Sequence, residues 1–495
     1  MSDTVVIAGA GPTGLMLACE LSLAGVHAVV LEAGTEPRQD APGIAINAGV
    51  IELLDQRGLM DPLRDGALTL PTVHFAMLPL APDRLARHED TVLVLQSRLE
   101  RLLEERAVAL GAEIRRGHEV TGLEEHADAV TVTARTADGD RRVEGRYLVG
   151  CDGRDSAVRG LAGIAFPGVE PDFHGLVGDV RIGFPDLVPE LIGAHISAET
   201  GGHYAGAPLA PGLLRVITAE FGTAPPEGAV TLDELRAAVH RLTGADLRAD
   251  DVAWLRRYGD PTRNAETYQR GRVLLAGEAA HVHFPLNGQG IEAGVHDAVS
   301  LGWRIAAEIA GWAPDGLVAG YHPERHPVGA WTCTNVRAQV ELCHPPQKVD
   351  PIRELITRLA SFEAVNEYLV ELVTGVGVRY PMGPAEGERQ HPLVGRRLPH
   401  VPLAAEDGET SVPRLLHRGR GLLLDTSDGR ATAAVTAAGG WRDRIDVVRA
   451  APSAAIGAAL ALVRPDGHVA WADRDSADTE GLVAALKTWF GEETS

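Results

Sequence analysis

The sequence predicts an α/β fold with a sheet-rich second domain set into it, and three observations carry that prediction. A strand–turn–helix–strand unit occupies the first 32 residues. Short, wholly apolar runs of the buried parallel-strand type return much later, at 147–151 and 272–277. Between them, from about 165 to 262, helical periodicity fades and Gly, Pro and short β-type runs such as 213–219 dominate, with one helix expected over 232–242. A chain of 495 residues is too long for one simple core, so two or three domains are expected.

Val5-Val6-Ile7-Ala8 fills the first strand and runs into Gly9-Ala10-Gly11-Pro12-Thr13-Gly14, a G-x-G-x-x-G turn. Residues 15–24 have helical apolar spacing and Gly25 stops them. A second strand, Ala28-Val29-Val30-Leu31, ends on Glu32 with Ala33 beside it, 18 positions after Gly14. Gly9 permits the tight turn, Gly11 lets the backbone approach a pyrophosphate, and Gly14 lets the helix pack against the strand. The helix start offers free N–H groups and a partial positive charge to phosphates. Glu32 is placed to accept hydrogen bonds from a ribose. A lone glycine triplet would say little; the whole order identifies a Rossmann-like dinucleotide cradle, with NAD, NADP and FAD all open at this point.

The remaining elements follow from the same signals. A polar loop at 34–43 leads to a helix over 47–57. Strands are expected through 68–95, ending in Thr91-Val92-Leu93-Val94-Leu95, before Gln96 and a helix to about 110 closed by Gly111. Strands at 113–120 and 129–134, a turn at Asp138-Gly139 and a return over 141–149 read as a hairpin-type arm. After 272–277, helix is expected to about 310, then over 335–339 and 351–373. Gly, Pro, His and Arg cluster at 385–400 and mark a boundary. Beyond it, strands at 421–425, 445–448, 458–463 and 469–473 and a helix over 480–490 make a compact α/β unit.

Composition narrows the function classes. A formal net charge of −22 argues against nucleic acid or an anionic membrane surface as partner and serves solubility. The cysteines Cys19, Cys151, Cys333 and Cys343 form no C-x-x-C pair, so neither a zinc site nor a dithiol centre is expected. His281 and His283 make an H-x-H pair without a third ligand nearby, so no metal is expected there. No run of 18 apolar residues exists, and the first strand leaves no room for a signal peptide; a soluble, cytoplasmic protein is expected.

Two later blocks join the opening unit. Tyr147-Leu148-Val149-Gly150-Cys151 enters Asp152-Gly153-Arg154-Asp155-Ser156-Ala157-Val158-Arg159, and a carboxylate at a strand end suits a ribose or ribityl hydroxyl. The third block runs Gly277-Glu278-Ala279-Ala280-His281, then Pro285, then Gly288-Gln289-Gly290, where a buried strand opens into a loop and another helix start. In this order and spacing the three blocks resemble the group A flavoprotein aromatic hydroxylases. That family holds para-hydroxybenzoate and phenol hydroxylases, rifampicin monooxygenase and the polyketide-tailoring hydroxylases of actinomycetes. The third block is similar to the family's G-D-x-x-H-x-x-x-P-x-x-G-x-G, and the second to its D-G motif, which serves FAD and NADPH. Gln96, Y-H-P-E-R-H-P at 321–327 and the segment 392–399 match further landmarks.

The resemblance implies FAD as resident cofactor, held by Gly9, Gly11, Pro12, Thr13, Gly14, Glu32, Ala33, Gln96, Val120, Asp152, Gly153, Glu278, Pro285, Gly288, Gln289, Gly290 and Ile291. Motif order puts Arg38 and Asn47 near the flavin edge. With only one G-x-G-x-x-G, NADPH is expected to bind transiently. The implied reaction is oxygenation, by O2 through a flavin C4a-hydroperoxide, of a polycyclic phenolic or aromatic polyketide, with hydroxylation first. Baeyer–Villiger oxidation, epoxidation or a non-oxygenating flavoprotein (a dehydrogenase or a redox-neutral catalyst) are the alternatives. The cofactor carries that chemistry, so no catalytic side chain is named. His203, Tyr204 and Glu292 are candidates to face substrate; the other readings are ordinary strand residues for His203 and Tyr204, and a protonated, averted or arginine-paired carboxyl for Glu292.

Three positions depart from the family. Glu278 stands where it has Asp, Glu292 stands where it usually has Asn near the flavin pyrimidine ring, and the loop near Pro42 lacks the basic residue many members carry. The expected division is an FAD-binding domain over 1–175 and 265–390 and a substrate-binding sheet domain over 176–264, joined by strands from 68–95. A thioredoxin-like domain over 391–495 completes it, too poor in cysteine for redox work. A monomer or homodimer is expected.

Overall fold

The computed structural model describes residues 3–494 except 39, 72, 82–89, 171–172, 184–185, 198, 223–226, 260, 383–389, 407 and 476–477. The parts of the expected 68–95 strands at 82–89 and of the expected boundary at 383–389 therefore lie outside the described residues.

Six strands form the central sheet in the order Gln269–Arg270, Val273–Leu275, Tyr147–Gly150, Thr4–Ala8, His27–Glu32, Glu113–Arg116. All neighbours run parallel except the Gln269–Arg270 edge, and the register sets Val5 beside Tyr147 and Ala28. Val5, Val6 and Ile7 have no exposed surface, as a strand covered on both faces requires. Helices Pro12–Leu23 and Gln96–Ala109 pack on this sheet, and Gln289–Ile309 packs along Pro12–Leu23. The arm is a three-stranded antiparallel sheet of Glu119–Glu125, Val130–Thr136 and Gly139–Gly145.

The segment after 165 forms a separate antiparallel sheet of five strands, ordered Gly193–Ile196, His203–Ala210, Leu213–Phe221, Phe173–Arg181, Asp251–Tyr258. Helix Leu232–Thr243, capped by Thr231 through Glu234 N and stopped by Gly244 at φ +73°, covers one of its faces. The C-terminal unit is a four-stranded sheet, Ile445–Arg449, Gly421–Asp425, Leu460–Val463, Val469–Asp473, with helix Thr479–Phe490 against it.

Several elements differ from the sequence expectation for definable reasons. The 113–120 run is two strands, because Gly117 turns the chain at φ +66°. Only Thr91–Val92 of the 91–95 run is strand. Gly277–Ala279 is a single 3₁₀ turn, so the helix expected from there begins at Gln289. One helix, Tyr321–Glu341, replaces the short 335–339 stretch; Pro327 lies inside it and masks its continuity. The 351–373 stretch is two helices, Pro346–Leu359 and Glu363–Thr374.

Buried arginines stitch the C-terminal unit to the rest. Arg464 donates from Nη1 and Nη2 to Glu324 at 2.8 and 2.9 Å and pairs with Asp466, while Arg304 reaches the same Glu324 at 2.6 Å. Arg57 pairs with Glu20 and donates to the carbonyls of Leu416 and Pro465. Removing one member of such a cluster leaves buried charge uncompensated. Arg464→Met is therefore expected to cost about 3–5 kcal/mol of unfolding free energy, read as a lower urea midpoint at unchanged slope. A loss below about 1 kcal/mol, the value of a surface pair, would contradict this.

Candidate active site

The parallel strands end at one edge of the central sheet, where ligands of open α/β sheets bind. A cavity of about 750 Å³ opens there. Gly9, Gly11, Pro12 and Thr13 form one wall, Glu32 and Ala33 the next, then Gln96, Val120, Asp152 and Gly153, with Glu278, Gly290 and Ile291 across from them. Gly14, Pro285, Gly288 and Gln289 lie outside that lining.

The glycines show why the turn needs them. Gly9 sits at φ +100°, and a Cβ there would lie 2.4 Å from the Cys151 carbonyl oxygen. A Cβ on Gly14 would meet the Gly9 oxygen at 2.1 Å, so Gly14 serves helix-to-strand packing. At Gly11 a Cβ would meet nothing within 4 Å, the mark of backbone open to a ligand. Glu32 is oriented by two amides, accepting from Ala10 N and Gly34 N at 2.8 Å each. Each of its oxygens keeps a lone pair for a sugar hydroxyl.

Asp152 accepts from Ser156 Oγ at 2.5 Å and from Val158 N at 3.0 Å, and burial raises its pKa. Gln96 accepts from Gly43 N and donates to Glu100. Arg38, Arg98, Arg101 and Arg116 add positive charge to the same cavity. Asn47 instead caps helix Ala48–Asp55 through Val50 N and donates to the Asn287 carbonyl.

The third block is held from behind. Asp297, on helix Gln289–Ile309, accepts from Gly277 N at 3.0 Å, His281 Nε2 at 2.7 Å and Arg325 Nε at 2.6 Å. Burial alone would raise its pKa, but Arg325 and His281 outweigh it and hold the carboxylate below its usual range. Among the described residues no three His, Cys, Asp or Glu side chains gather to hold a metal ion.

His203 and Tyr204 part company, because neighbours on a strand face opposite ways. His203 turns to Phe284 and Phe221, with ring centroids 6.2 and 5.6 Å away. It is buried, its Nε2 has no hydrogen-bond partner, and burial lowers its pKa to about 4, so it is neutral. Tyr204 lies in the core between sheet and helix and donates to the Leu191 carbonyl, which corrects its expected place facing substrate. Glu292 is also elsewhere than expected. Its carboxylate lies beneath the first turn of its helix, beside Gly375 and Gly49 and 3.5 Å from His296 Nε2, outside the cavity lining.

Three features were not visible in the sequence. The Pro42 loop does receive a cation, but from Arg215 on the five-stranded sheet, whose Nη1 donates to the Pro42 carbonyl at 2.6 Å. Asp179 and Trp254 hold Arg215 in place. The Asp297 cluster joins residues too far apart for any local pattern. A second cavity of about 760 Å³ lies alongside, lined by Arg154, Arg159, Arg257 and Arg263 with Phe166, Phe173 and Tyr258, and it shares Asp155 with the first.

Comparison with known proteins agrees with this geometry. Residues 2–336 match the FAD binding domain family and residues 391–492 the C-terminal domain of aromatic-ring hydroxylases. Dialkyldecalin synthase of Streptomyces rugosporus is 48% identical over 495 residues, covering 99% of each chain. Rifampicin monooxygenase of Streptomyces venezuelae is 40% identical over 495 residues, again 99% of each. The structure of anhydrotetracycline hydroxylase from Streptomyces rimosus superposes with a TM-score of 0.91 at 42% identity, covering 99% of both chains.

Burial pushes the Glu292 carboxyl up from 4.5 to about 7, against the pull of Arg325 and Arg397. Folding therefore binds a proton that the unfolded chain releases, and stability falls as pH rises from about 4.5 through 7. Glu292→Gln removes this term. Its melting temperature is expected to match wild type near pH 5 and exceed it by several degrees at about pH 8. Calorimetry at both pH values checks this, and a difference that does not change with pH would contradict it.

Proposed function

The chain belongs to the family of FAD-binding aromatic-ring hydroxylases, and from that premise we propose that it oxygenates a polycyclic aromatic polyketide with NADPH and O2. The residues present fit FAD: an open backbone at Gly11, an amide-oriented acid at Glu32, and two further acids, Asp152 and Glu278, on one cavity. Bound FAD supplies hydride acceptance from NADPH and activation of O2; the chain supplies everything around it. Glu32 takes the adenosine ribose, Asp152 and Glu278 the ribityl and phosphate region, and the first turn of helix Gln289–Ile309 the ring end. The carrying observation is what lies next to that ring end.

There, Phe284 packs edge-on against Phe173, which meets Phe221, the last two carried by the five-stranded sheet. Such a wall stacks a planar substrate and keeps water from it. The division into cofactor, sheet and C-terminal domains supports this reading, with substrate between the first two. The arginine-lined second cavity suits the phosphates of a transient NADPH. Among the described residues no helix is long and apolar enough to cross a membrane, and a cytoplasmic monomer or homodimer is the form proposed.

A second reading comes from dialkyldecalin synthase, a relative whose name describes ring formation rather than oxygenation. On that reading the same cradle holds FAD as a structural part of a redox-neutral catalyst. Anaerobic stopped-flow separates the two. Flavin-loaded protein is expected to bleach with NADPH, at least about tenfold faster when an aromatic polyketide is present. Absence of NADPH-driven bleaching across a panel of such polyketides would overturn the oxygenase proposal.

A further inference from the structure

A chain of buried amides ends, unsatisfied, beside the proposed ring end. It starts at the turn between strands Val73–Phe75 and Leu78–Leu80, where Ala76 and Met77 hold φ values of +50° and +62°. The Ala76 N–H meets Gln339 Oε1 at 2.9 Å. Gln339 Nε2 then lies 3.2 Å from Asn335 Oδ1, and Asn335 Nδ2 lies 3.0 Å from Gln289 Oε1. All three side chains are buried, Gln339 completely.

A backbone N–H only donates, and this fixes every amide after it. Gln339 must turn its oxygen to Ala76, and so its nitrogen to Asn335. Asn335 must then turn its nitrogen to Gln289, whose own Nε2 is left pointing onward as a donor. That nitrogen is buried and has no partner. A buried donor left so is costly and calls for a partner from outside the chain, a water or a ligand.

Its surroundings say what. Gln289 opens the helix whose next two residues, Gly290 and Ile291, line the dinucleotide cavity, yet its side chain runs to helix Tyr321–Glu341, beside Val336 of the aromatic cluster. On the same loop His283 has Nδ1 2.9 Å from the Phe284 carbonyl. A carbonyl only accepts, so Nδ1 carries the proton and Nε2, buried and unpartnered, presents a lone pair. Burial keeps this imidazole neutral, with its pKa lowered to about 4.

We infer that Gln289 is a specificity-determining residue, presenting a fixed hydrogen-bond donor to a carbonyl oxygen of the substrate, with His283 Nε2 as the matching acceptor for a neighbouring hydroxyl. The ligand class is a hydroxylated aromatic ketone or quinone. This rests on the aromatic-polyketide reading above.

Flavin-loaded protein titrated calorimetrically with 1-hydroxyanthraquinone and with 1-hydroxyanthracene, which lacks the carbonyls, tests it. Gln289→Glu replaces the donor by an acceptor of the same shape, and Gln289→Met removes it without adding charge. Both are expected to lose about tenfold or more in affinity for the quinone and to change less than about twofold for the anthracenol, with FAD affinity unaltered. Unchanged quinone binding in both variants would show that water satisfies Gln289 and overturn the inference while leaving the aromatic-polyketide reading intact. Loss of FAD affinity instead would assign the donor to the cofactor and also overturn it. Wild-type protein that binds neither probe would overturn the substrate-class reading itself, and the inference with it.

Discussion

The carboxylate of Asp297 has no exposed surface and accepts three hydrogen bonds, from Gly277 N, His281 Nε2 and Arg325 Nε. It ties the end of a central strand, the loop that follows and two long helices to one point. Arg325 extends the knot, donating to the Ala293 carbonyl and to the Tyr380 hydroxyl. Such a group is tolerable inside a protein only when every partner is present, because an isolated buried charge costs far more than its bonds return. Geometry around it is therefore all-or-none. The knot pins Gly277, the neighbour of Glu278, to helix Gln289–Ile309, while left-handed Asn287 and Gly288 set where that helix starts.

The parts of the site legible in the sequence are those whose chemistry is local. Gly9, Gly11 and Gly14 are read from a six-residue turn, and Glu32, Asp152 and Glu278 from acids at the ends of apolar runs. Each of these acids lines the cavity. What could not be read joins distant stretches. Arg215 reaches Pro42, Arg325 reaches Asp297, and Ala76 reaches Gln339, with no periodicity to announce any of them. Tyr321–Glu341 was hidden because Pro323 and Pro327 break the local helix signal, while packing against strands and helix keeps it continuous. For His203 and Tyr204 the strand was expected but its phase was not, and a strand's phase decides which of two neighbours faces a ligand.

Glu292 illustrates the other limit. The family position suggests a residue beside the flavin, but helix direction turns its side chain toward Gly49, Gly375 and His296. Arg397 lowers the pKa of Glu292 through space there, and donates to Glu52 and to the Gly375 carbonyl. The acid thus belongs to the seam between the long helix and the C-terminal unit. The Glu292 carboxylate is therefore not part of the cavity lining.

Relatives named as a synthase and as monooxygenases both match this chain over 99% of its length. The difference lies in what reaches the ring end and whether oxygen is consumed there. Mass spectrometry of the product formed from an aromatic polyketide under ¹⁸O2, with NADPH and flavin-loaded protein, addresses that directly. Oxygenation predicts a product carrying one heavy oxygen and NADPH consumed in step with it. A product isomeric with its substrate, formed without label and without NADPH, would contradict the account.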